Sequence, residues 1–527
     1  MTRDFHLPGR SAVVAGEAMA ATSHPLATLA AIETLRAGGN AADAAVTAVA
    51  ALCVVEPHMT GIGGDCFCLV AHPDAPVWGY NGSGRTAAGM RIETLQAQGV
   101  ETIASNSIHA VTVPGAIEAW DAILQVHGRF DLARALRPAI RFAEGGFPVA
   151  PRVNSDWAGL VGKLAADAGA TRHYLFDGRA PAVGDTVKLP ALAATLKTIA
   201  QKGPRGFYEG PVAEDIAATV AARGGYLTVE DLAAHRGETA EPISSSYRGL
   251  DVIELPPNGQ GLTALVFLNI LEGFDLASLD PAGPDRLHLA LDAARLAYAV
   301  RDTHIAELAF MRAAVPALLD KAFAAKLASR IDRSRRTKLP AAPTPGGDTV
   351  YLTIVDRDRM AVSLINSLYS AFGVGVCTEK TGVMLHNRGS CFVVDPDHPN
   401  AIGPRKRPMH TIIPALAARN GRCELAFGVM GAHYQPMGHV HVLTNMIDYG
   451  MDVQAAIDFP RMFFEAETTL VERGVSAGTA EGLRQRGHNV AVPPSPLGGG
   501  QAIAIDWQRG VLLGGSDGRK DGCAIGY

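Results

Sequence analysis

The chain has 527 residues, of which 48% are hydrophobic and 19% are charged, as in an ordinary globular protein with a large core. Its formal net charge of −5 indicates neither nucleic acid nor an anionic membrane as a partner. The length corresponds to roughly three or four domains, or to one large fold with insertions.

Targeting and redox signals are weak. The first ten residues lack the apolar run of a signal peptide, and the longest apolar stretch, residues 44–55, is too short to span a bilayer. We therefore expect a cytoplasmic protein. Its seven cysteines are odd in number and include no CxxC pair, so reduced thiols are expected.

Two helices are predicted near the amino terminus. Residues 25–37 carry an apolar stripe at helical spacing and end at a pair of glycines. Asn40 then begins a second helix over residues 41–55, with Asp43 placed as in a capping box. This second helix is apolar on nearly every face, which predicts that it is buried.

A glycine-rich turn over residues 60–65 leads into a predicted strand at 66–70. The turn lacks the lysine and serine of a phosphate loop, so close backbone packing in the core is the better interpretation. Strand signals reappear at 247–255. Helical patterns cover residues 116–127, 132–143, 189–201, 212–223, 262–271, 285–301, 321–331, 439–449 and 480–486.

The segment 347–355 contains the junction between a loop and a predicted strand. A loop rich in proline and glycine, residues 338–347, ends before a strand that begins at Thr349. Cutting the chain between Asp348 and Thr349 would give Thr349 an α-amine able to take the proton of its own hydroxyl. A hairpin with residues 360–368 would bring Ser367 close to Thr349. Threonine is also common in strands without any chemistry, so other segments must support this hypothesis.

Two competing motifs give weaker predictions. Residues 474–478 match G-x-S-x-G, but a nucleophile elbow needs an acid and then a histidine downstream, and only Glu481 and His488 follow. We interpret Ser476 as part of a turn near a helix cap. His433, His439 and His441 suggest a metal site. However, His439 and His441 are two positions apart, so on a helix their side chains would face different directions, and no further ligand completes the set.

Seven short motifs are spread along nearly the whole chain: residues 37–44 (AGGNAADA), 61–65 (GIGGD), 113–116 (VPGA), 372–375 (FGVG), 403–408 (GPRKRP), 447–450 (IDYG) and the terminal 526–527 (GY). Together they resemble the γ-glutamyltransferase family of N-terminal nucleophile hydrolases. The resemblance implies a four-layer αββα sandwich.

The resemblance implies a proenzyme that cuts itself between Asp348 and Thr349. The fragments 1–348 and 349–527 would stay associated as one body. The family's processing threonine falls on Thr349, and the hydroxyl that contacts it falls on Ser367. The family's paired glycines, whose N–H groups bind the oxyanion, fall on Gly431 and Ala432.

The family's substrate-binding positions differ in this chain. The position of an arginine that grips the α-carboxylate falls near Gly82, so that arginine is displaced or absent, and Arg85 is a candidate replacement. An aspartate that holds the substrate amine falls on Cys391, whereas a glutamine falls on Arg388, whose fork suits a carboxylate. Three further substrate-binding positions fall on Tyr369, His410 and Thr411. This pattern is similar to the branch that contains oxamate amidohydrolase.

The sequence therefore predicts an autoprocessed hydrolase of a small acidic amide, without cofactor or metal, in which the two fragments associate. Association of two such units into a homodimer stays open. Three alternatives also stay open: a γ-glutamyltransferase acting on glutathione, an acylase for larger groups such as glutaryl amides, and an uncleaved binding protein with the same fold.

Overall fold

A computed structural model describes His6 and residues 9–338 and 348–527. Nearly all of the predicted processing loop, residues 339–347, lies outside the described residues. No helix in the described part of the chain is long and apolar enough to cross a membrane. All seven cysteines are free thiols.

Many of the helices follow one another in runs, between which strands occur. In chain order they are α1 Pro25–Arg36, α2 Ala41–Val55, α3 Ile92–Ala97, α4 Ala116–His127, α5 Leu132–Ala135, α6 Arg137–Gly145, α7 Pro151–Ala158, α8 Val161–Ala165, α9 Ala168–Tyr174, α10 Pro190–Lys202, α11 Arg205–Tyr208, α12 Pro211–Ala221, α13 Val229–Ala233, α14 Gly261–Leu271, α15 Pro284–His304, α16 Val315–Leu319, α17 Lys321–Ala328, α18 Gln435–Ile447, α19 Val453–Asp458 and α20 Ala477–Gln485.

The strands form two large antiparallel sheets and two small ones. In chain order they are β1 Val13–Ala15, β2 Met19–Thr22, β3 Asp65–Ala71, β4 Trp78–Gly82, β5 Phe147–Pro148, β6 Thr186–Val187, β7 Glu238–Ala240, β8 Ile243–Tyr247, β9 Leu250–Glu254, β10 Asp348–Val355, β11 Ala361–Tyr369, β12 Ala415–Arg419, β13 Arg422–Met430, β14 Met462–Glu465, β15 Thr468–Val471, β16 Asn489–Ala491, β17 Gly499–Asp506, β18 Val511–Ser516 and β19 Cys523–Gly526.

The two large sheets pack face to face between layers of helices. One has the order β1-β18-β17-β13-β12-β9-β8, and the other has the order β19-β2-β10-β11-β3-β4-β7. Side chains from both sheets, among them Phe67, Tyr351, Leu416 and Ile503, form the core between them. The outer faces pack against α2 and α4 on one side and against α14 and α18 on the other. This is the four-layer αββα sandwich that the resemblance implies.

Local sequence explains the buried α2. Asn40 accepts a hydrogen bond from the N–H of Asp43, whose carboxylate accepts one from the N–H of Asn40. This reciprocal capping box satisfies two of the amide groups that a helix start leaves unpaired. Every residue of α2 is buried, as its uniformly apolar composition predicts.

Two predicted elements are divided in the structure. The helix predicted over 132–143 is α5 followed by α6, because Pro138 has no N–H to continue the first helix. The strand predicted over 247–255 begins too early. Tyr247 ends β8, Arg248 and Gly249 adopt positive φ angles of +50° and +80° in the hairpin turn, and Leu250–Glu254 form β9.

Each large sheet contains strands from both sides of the predicted cut. β10 and β11, which follow Asp348, pair with β2 and β3, which precede it. We expect a chain cut there to elute as one species in native gel filtration, because separation would expose both sheet cores. A denaturing gel should show two bands. Native elution of a separate small fragment would contradict the interleaved sheets.

Candidate active site

Thr349 lies at an irregularity in the β10–β11 hairpin. Asp348 pairs with Tyr369 but Val350 pairs with Asn366, so the register shifts at Thr349. Thr349 is fully buried, and its Oγ1 lies 3.0 Å from Ser367 Oγ. The hairpin and the proximity of the two hydroxyls agree with the sequence prediction. A β-bulge of this kind re-aims the side chains beside it.

Ser367 also contacts two donors. Its Oγ accepts a hydrogen bond from the Tyr369 N–H at 2.8 Å and a longer one from Arg388 Nη2 at 3.4 Å. Since the oxygen accepts these two N–H groups, the hydroxyl proton can be donated to Thr349 Oγ1. Ser367 thus connects the threonine hydroxyl to a buried cation.

Arg388 is a buried guanidinium without a carboxylate partner among the described residues. It is fully inaccessible to solvent, and its Nη1 donates to Thr411 Oγ1 at 2.7 Å. Its Cζ lies 4.4 Å from the centre of the Tyr369 ring, within cation–π distance. No described residue accepts a hydrogen bond from its Nε. Burying a charge without a partner costs free energy. Such an unpaired charge is typical of a site that receives an oppositely charged ligand.

The turn at Gly431 and Ala432 follows β13 and has an unusual backbone. Both residues adopt positive φ angles, +120° and +47°. A Cβ on Gly431 would come within 2.9 Å of Gly498 Cα. Among the backbone hydrogen bonds of turns and loops in the described chain, none is donated by the N–H of Gly431 or Ala432. Two such N–H groups in a turn can bind an anionic oxygen.

Gln260 joins this turn to the Arg388 region. Its side-chain Nε2 donates to the carbonyl oxygens of Thr411, at 2.7 Å, and Ala432, at 2.9 Å. Through Ser367, Arg388, Thr411 and Gln260, a continuous set of hydrogen bonds connects Thr349 to the turn. The sequence reasoning missed Gln260, although it lies in a segment rich in proline and glycine, residues 256–261.

Tyr369 provides a second connection to the turn. Its hydroxyl lies 3.2 Å from His433 Nε2, and Arg301 Nη1 donates to His433 Nδ1 at 3.0 Å. Because Nδ1 accepts from Arg301, the ring proton is on Nε2 and is donated to Tyr369. Burial, with the charges of Arg301 and Arg388, lowers the pKa of His433 well below its usual value. The histidine suggested as a metal ligand thus positions Tyr369.

Asp65 organises the other side of the site. Its Oδ2 lies 2.9 Å from His410 Nε2 and 3.4 Å from His386 Nδ1, while its Oδ1 accepts the N–H groups of Gly84 and Gly115. Burial alone would raise the pKa of Asp65, but the two imidazoles outweigh it and hold the pKa well below its usual range. The carboxylate thus joins two of the glycine-containing motifs that the sequence singled out, residues 61–65 and 113–116.

His410 is engaged by protein on both ring nitrogens. Nε2 faces Asp65, and Nδ1 accepts the N–H of Ile412 at 3.3 Å. Direct hydrogen bonding of the ring to a substrate would require breaking one of these contacts. The geometry therefore favours a positioning role for this predicted substrate-binding residue.

Burial and the charge of Arg388 lower the pKa of His410 from 6.5 to about 3. Between these values the unfolded chain binds a proton that the folded chain does not, so stability falls as pH falls below 6.5. In an uncut Thr349→Ala background, His410→Gln should reduce the slope of unfolding free energy against pH by about 1.4 kcal/mol per unit between pH 5.5 and 4.5. Urea titrations at several pH values measure the unfolding free energy of both variants. An unchanged slope against pH would contradict a neutral buried His410.

The structure does not place Arg85 with this cluster. Its half-exposed guanidinium pairs with Glu307 and lies 3.9 Å from Glu238 Oε2. Arg407 binds the same two carboxylates. An arginine that two protein carboxylates already neutralise is a poor clamp for a substrate anion, in contrast to the sequence prediction.

The competing motifs have structural explanations. Ser476 caps α20 by accepting the N–H of Thr479, and its own proton is donated to Thr479 Oγ1. His439 contacts Glu254, whereas His441 contacts Asn445 and the carbonyl of Phe459. In the described chain these histidines and His433 do not converge on a common point.

Two helix-covered antiparallel sheets, with a hydroxyl residue near the start of a central hairpin strand, define the class of N-terminal nucleophile hydrolases. The model of the family described as Gamma-glutamyltranspeptidase matches residues 27–527. The chain belongs to this family and is an enzyme of the hydrolase and transpeptidase type that the family comprises.

Three similar proteins illustrate the range of the family. The chain is 39% identical over 526 residues to the glutathione hydrolase-like YwrD proenzyme of Bacillus subtilis (strain 168), covering 98% of this chain and 99% of that protein. It is 34% identical over 532 residues to the oxamate amidohydrolase proenzyme of Klebsiella pneumoniae, covering 98% and 100%. The crystal structure of cephalosporin acylase from Bacillus halodurans superposes with a TM-score of 0.93 at 39% identity, covering 100% and 99%.

Proposed function

We propose that the protein is an autoprocessing threonine hydrolase that cleaves the amide of a small acidic acyl group, similar to oxamate. The observation that carries this proposal is Arg388, which is buried near Thr349 and Ser367 without a carboxylate partner in the described chain. A substrate carboxylate would supply the missing charge. The oxamate amidohydrolase relative supports the same substrate class.

Processing begins when Thr349 Oγ1 attacks the carbonyl carbon of Asp348. The peptide C–N bond breaks as a C–O ester bond forms, and water then hydrolyses the ester. The products are the carboxylate of Asp348 and the α-amine of Thr349. Because the Asp348 backbone pairs with Tyr369 in the uncut hairpin, releasing this pairing would open the buried hydroxyl to substrate.

Catalysis then uses the new amine as the base. With an ordinary pKa of about 7.7–8.0, it can take the Thr349 hydroxyl proton near neutral pH. The oxygen attacks the substrate carbonyl, and the N–H groups of Gly431 and Ala432 stabilise the oxyanion. Collapse expels the leaving amine with a proton, and water resolves the ester to the free acid.

The turn that binds the oxyanion gives a specific prediction. Gly431→Ala should lower kcat by about 10²–10³-fold, because the methyl group meets Gly498 and displaces one donor. Ala432→Gly keeps its N–H and relieves the positive φ angle, so its kcat should stay within a few-fold. Steady-state kinetics on both variants checks this. Full activity of Gly431→Ala would remove the turn from the mechanism.

One observation favours a second candidate, an acylase for larger groups. A cleft of about 530 Å³ lies beside Gly431 and is lined partly by apolar side chains, including Met59, Met430, Phe463 and Leu470. This volume exceeds what a small acyl group requires, and the cephalosporin acylase has a closely similar fold. A γ-glutamyl donor is the other alternative, supported by the glutathione hydrolase-like relative.

A substrate panel separates these candidates. The purified, processed enzyme is assayed with oxamate, with oxamide, with a glutaryl amide and with a γ-glutamyl anilide. Oxamide replaces the carboxylate of oxamate by a neutral group of nearly the same shape. We expect kcat/KM for oxamate to exceed that for oxamide by about 10²-fold or more, because only oxamate pairs with Arg388. Preference for the glutaryl or γ-glutamyl amide over oxamate would overturn the proposed substrate.

A further inference from the structure

Three buried side chains form a cluster outside the site described above. His288 and Asp292 lie one turn apart on α15, and His488 follows α20. His288 and Asp292 are fully buried and His488 is 3% exposed. One nitrogen of each imidazole and one carboxylate oxygen lie within 4.8 Å of one another. Two imidazoles and a carboxylate are a common donor set for zinc.

The polar atoms that face away from the centre of this cluster are held by protein. His288 Nε2 donates to the carbonyl of Asp332 at 2.7 Å, and His488 Nδ1 lies 3.1 Å from Thr469 Oγ1. Asp292 Oδ2 accepts the N–H of Thr337 at 2.7 Å. Histidines and carboxylates that bind metals are oriented by outer hydrogen bonds of this type.

One buried oxygen at the centre has no hydrogen bond to any described residue. It is Asp292 Oδ1, which is inaccessible to solvent. The nearest cation, Arg295 Nη1, is 3.8 Å away and donates instead to the carbonyl of Thr337 at 2.9 Å. An unsatisfied buried carboxylate oxygen is costly, and a bound cation would satisfy it.

We propose that His288 Nδ1, His488 Nε2 and Asp292 Oδ1 bind one zinc ion. The two nitrogens are 2.9 Å apart, and tetrahedral ligands at about 2.0–2.1 Å from zinc stand roughly 3.3 Å apart, so a small separation of the rings suffices. His488 keeps its single proton, which moves from Nε2 to Nδ1. Thr469 Oγ1 then accepts a hydrogen bond from that nitrogen.

The surrounding charges permit this ion and favour zinc over harder cations. Besides Arg295, two arginines face the cluster, but Arg336 pairs with Glu467 at 2.9 Å and Arg486 pairs with Asp285 at 2.5 Å. With Asp292 included, three carboxylates balance the three arginines. Calcium and magnesium prefer sites made of oxygen ligands, whereas imidazoles suit zinc and cobalt.

The position of the site suggests what zinc would stabilise. His288 and Asp292 precede the proposed cut and His488 follows it, so one ion would join the two fragments. The residues that orient the ligands, Asp332 and Thr337, lie near the described end of the large fragment. This linking role rests on the proposed processing, whereas metal binding itself does not.

The test uses the full chain in the uncut Thr349→Ala form, so its outcome does not depend on activity or processing. After chelation and desalting, the chain is given Zn²⁺ alone or Co²⁺ alone. We expect about one zinc per chain by elemental mass spectrometry and the visible absorption of tetrahedral cobalt. His488→Gln and Asp292→Asn should each weaken zinc affinity at least 100-fold.

His72→Gln is the matched control. His72 lies 3.2 Å from His127 in a partly exposed pair that does not belong to the cluster, so this variant should keep full zinc stoichiometry. The zinc stoichiometry of the Thr349→Ala parent is decisive even if a ligand variant does not fold. The proposal is overturned if the chain retains no more zinc than an unrelated protein does. It is also overturned if His488→Gln binds zinc as tightly as the Thr349→Ala parent.

Discussion

Thr349→Ala is expected to remain a single 527-residue polypeptide with no measurable amide hydrolysis. The substitution removes the oxygen that attacks Asp348 during processing and the substrate afterwards, while the alanine methyl fits the buried position. Loss of a nucleophile of this kind lowers kcat by about 10⁴–10⁶-fold. A denaturing gel and an oxamate assay on the same preparation measure both effects.

Thr349→Ser is the control for this prediction. It keeps the hydroxyl 3.0 Å from Ser367 and should still process and hydrolyse, more slowly because serine lacks the methyl group that restricts the rotamer. If Thr349→Ala is still cut at the same bond, the nucleophile of processing lies elsewhere. The catalytic role is tested apart from processing by expressing residues 1–348 and residues 349–527 separately, the second with Thr349→Ala. If the combined fragments hydrolyse the amide, Thr349 is not the catalytic nucleophile either.

Arg388→Gln is expected to lower kcat/KM for oxamate by about 10²–10³-fold and to change kcat/KM for oxamide by less than about three-fold. Truncating one partner of a buried charge pair costs 2–5 kcal/mol, whereas the neutral amide never formed that pair. The glutamine retains a donor for Thr411 Oγ1, so the hydrogen bonds that support the site persist in part. Steady-state kinetics on both substrates gives the ratio.

Arg85→Gln decides between the two candidate clamps. Arg85 is paired with Glu307 and lies outside the Thr349 cluster, so this variant should change the oxamate-to-oxamide preference by less than about two-fold. If the preference for oxamate over oxamide is lost in Arg85→Gln and kept in Arg388→Gln, then Arg85, a candidate from the sequence analysis, is the clamp for the substrate carboxylate. That outcome would also leave the missing carboxylate partner of Arg388 unexplained.

Local patterns predicted much of the fold. The capping box at Asn40 and Asp43 and the uniformly apolar α2 were read from adjacent residues, and the structure confirms both. The β10–β11 hairpin was predicted from alternation around a short polar turn, and it brings Ser367 to Thr349. These features depend on contacts between residues near one another in the chain.

The rest of the site depends on contacts across long stretches of chain. Asp65 meets His410 across 345 residues, and Gln260 meets Ala432 across 172. No periodicity or spacing in a single sequence records such pairings. Arg388 was identified by the family resemblance, but only the placement of the buried side chains around it shows that no described carboxylate pairs with it.

The divided elements have a different cause. Pro138 interrupts the helix predicted over 132–143 because its ring removes one backbone donor. The predicted strand 247–255 included Arg248 and Gly249, which form the turn between β8 and β9 with positive φ angles. Arginine rarely adopts such an angle, so Gly249 was the only local signal of this turn.

The central claim is that the chain cuts itself between Asp348 and Thr349. Intact mass spectrometry of the purified protein tests it most directly. We expect two species whose masses correspond to residues 1–348 and 349–527, with threonine as the amino-terminal residue of the smaller one. A single species of full length after prolonged incubation, or a cut at any other bond, would contradict the assignment of Thr349 as the nucleophile.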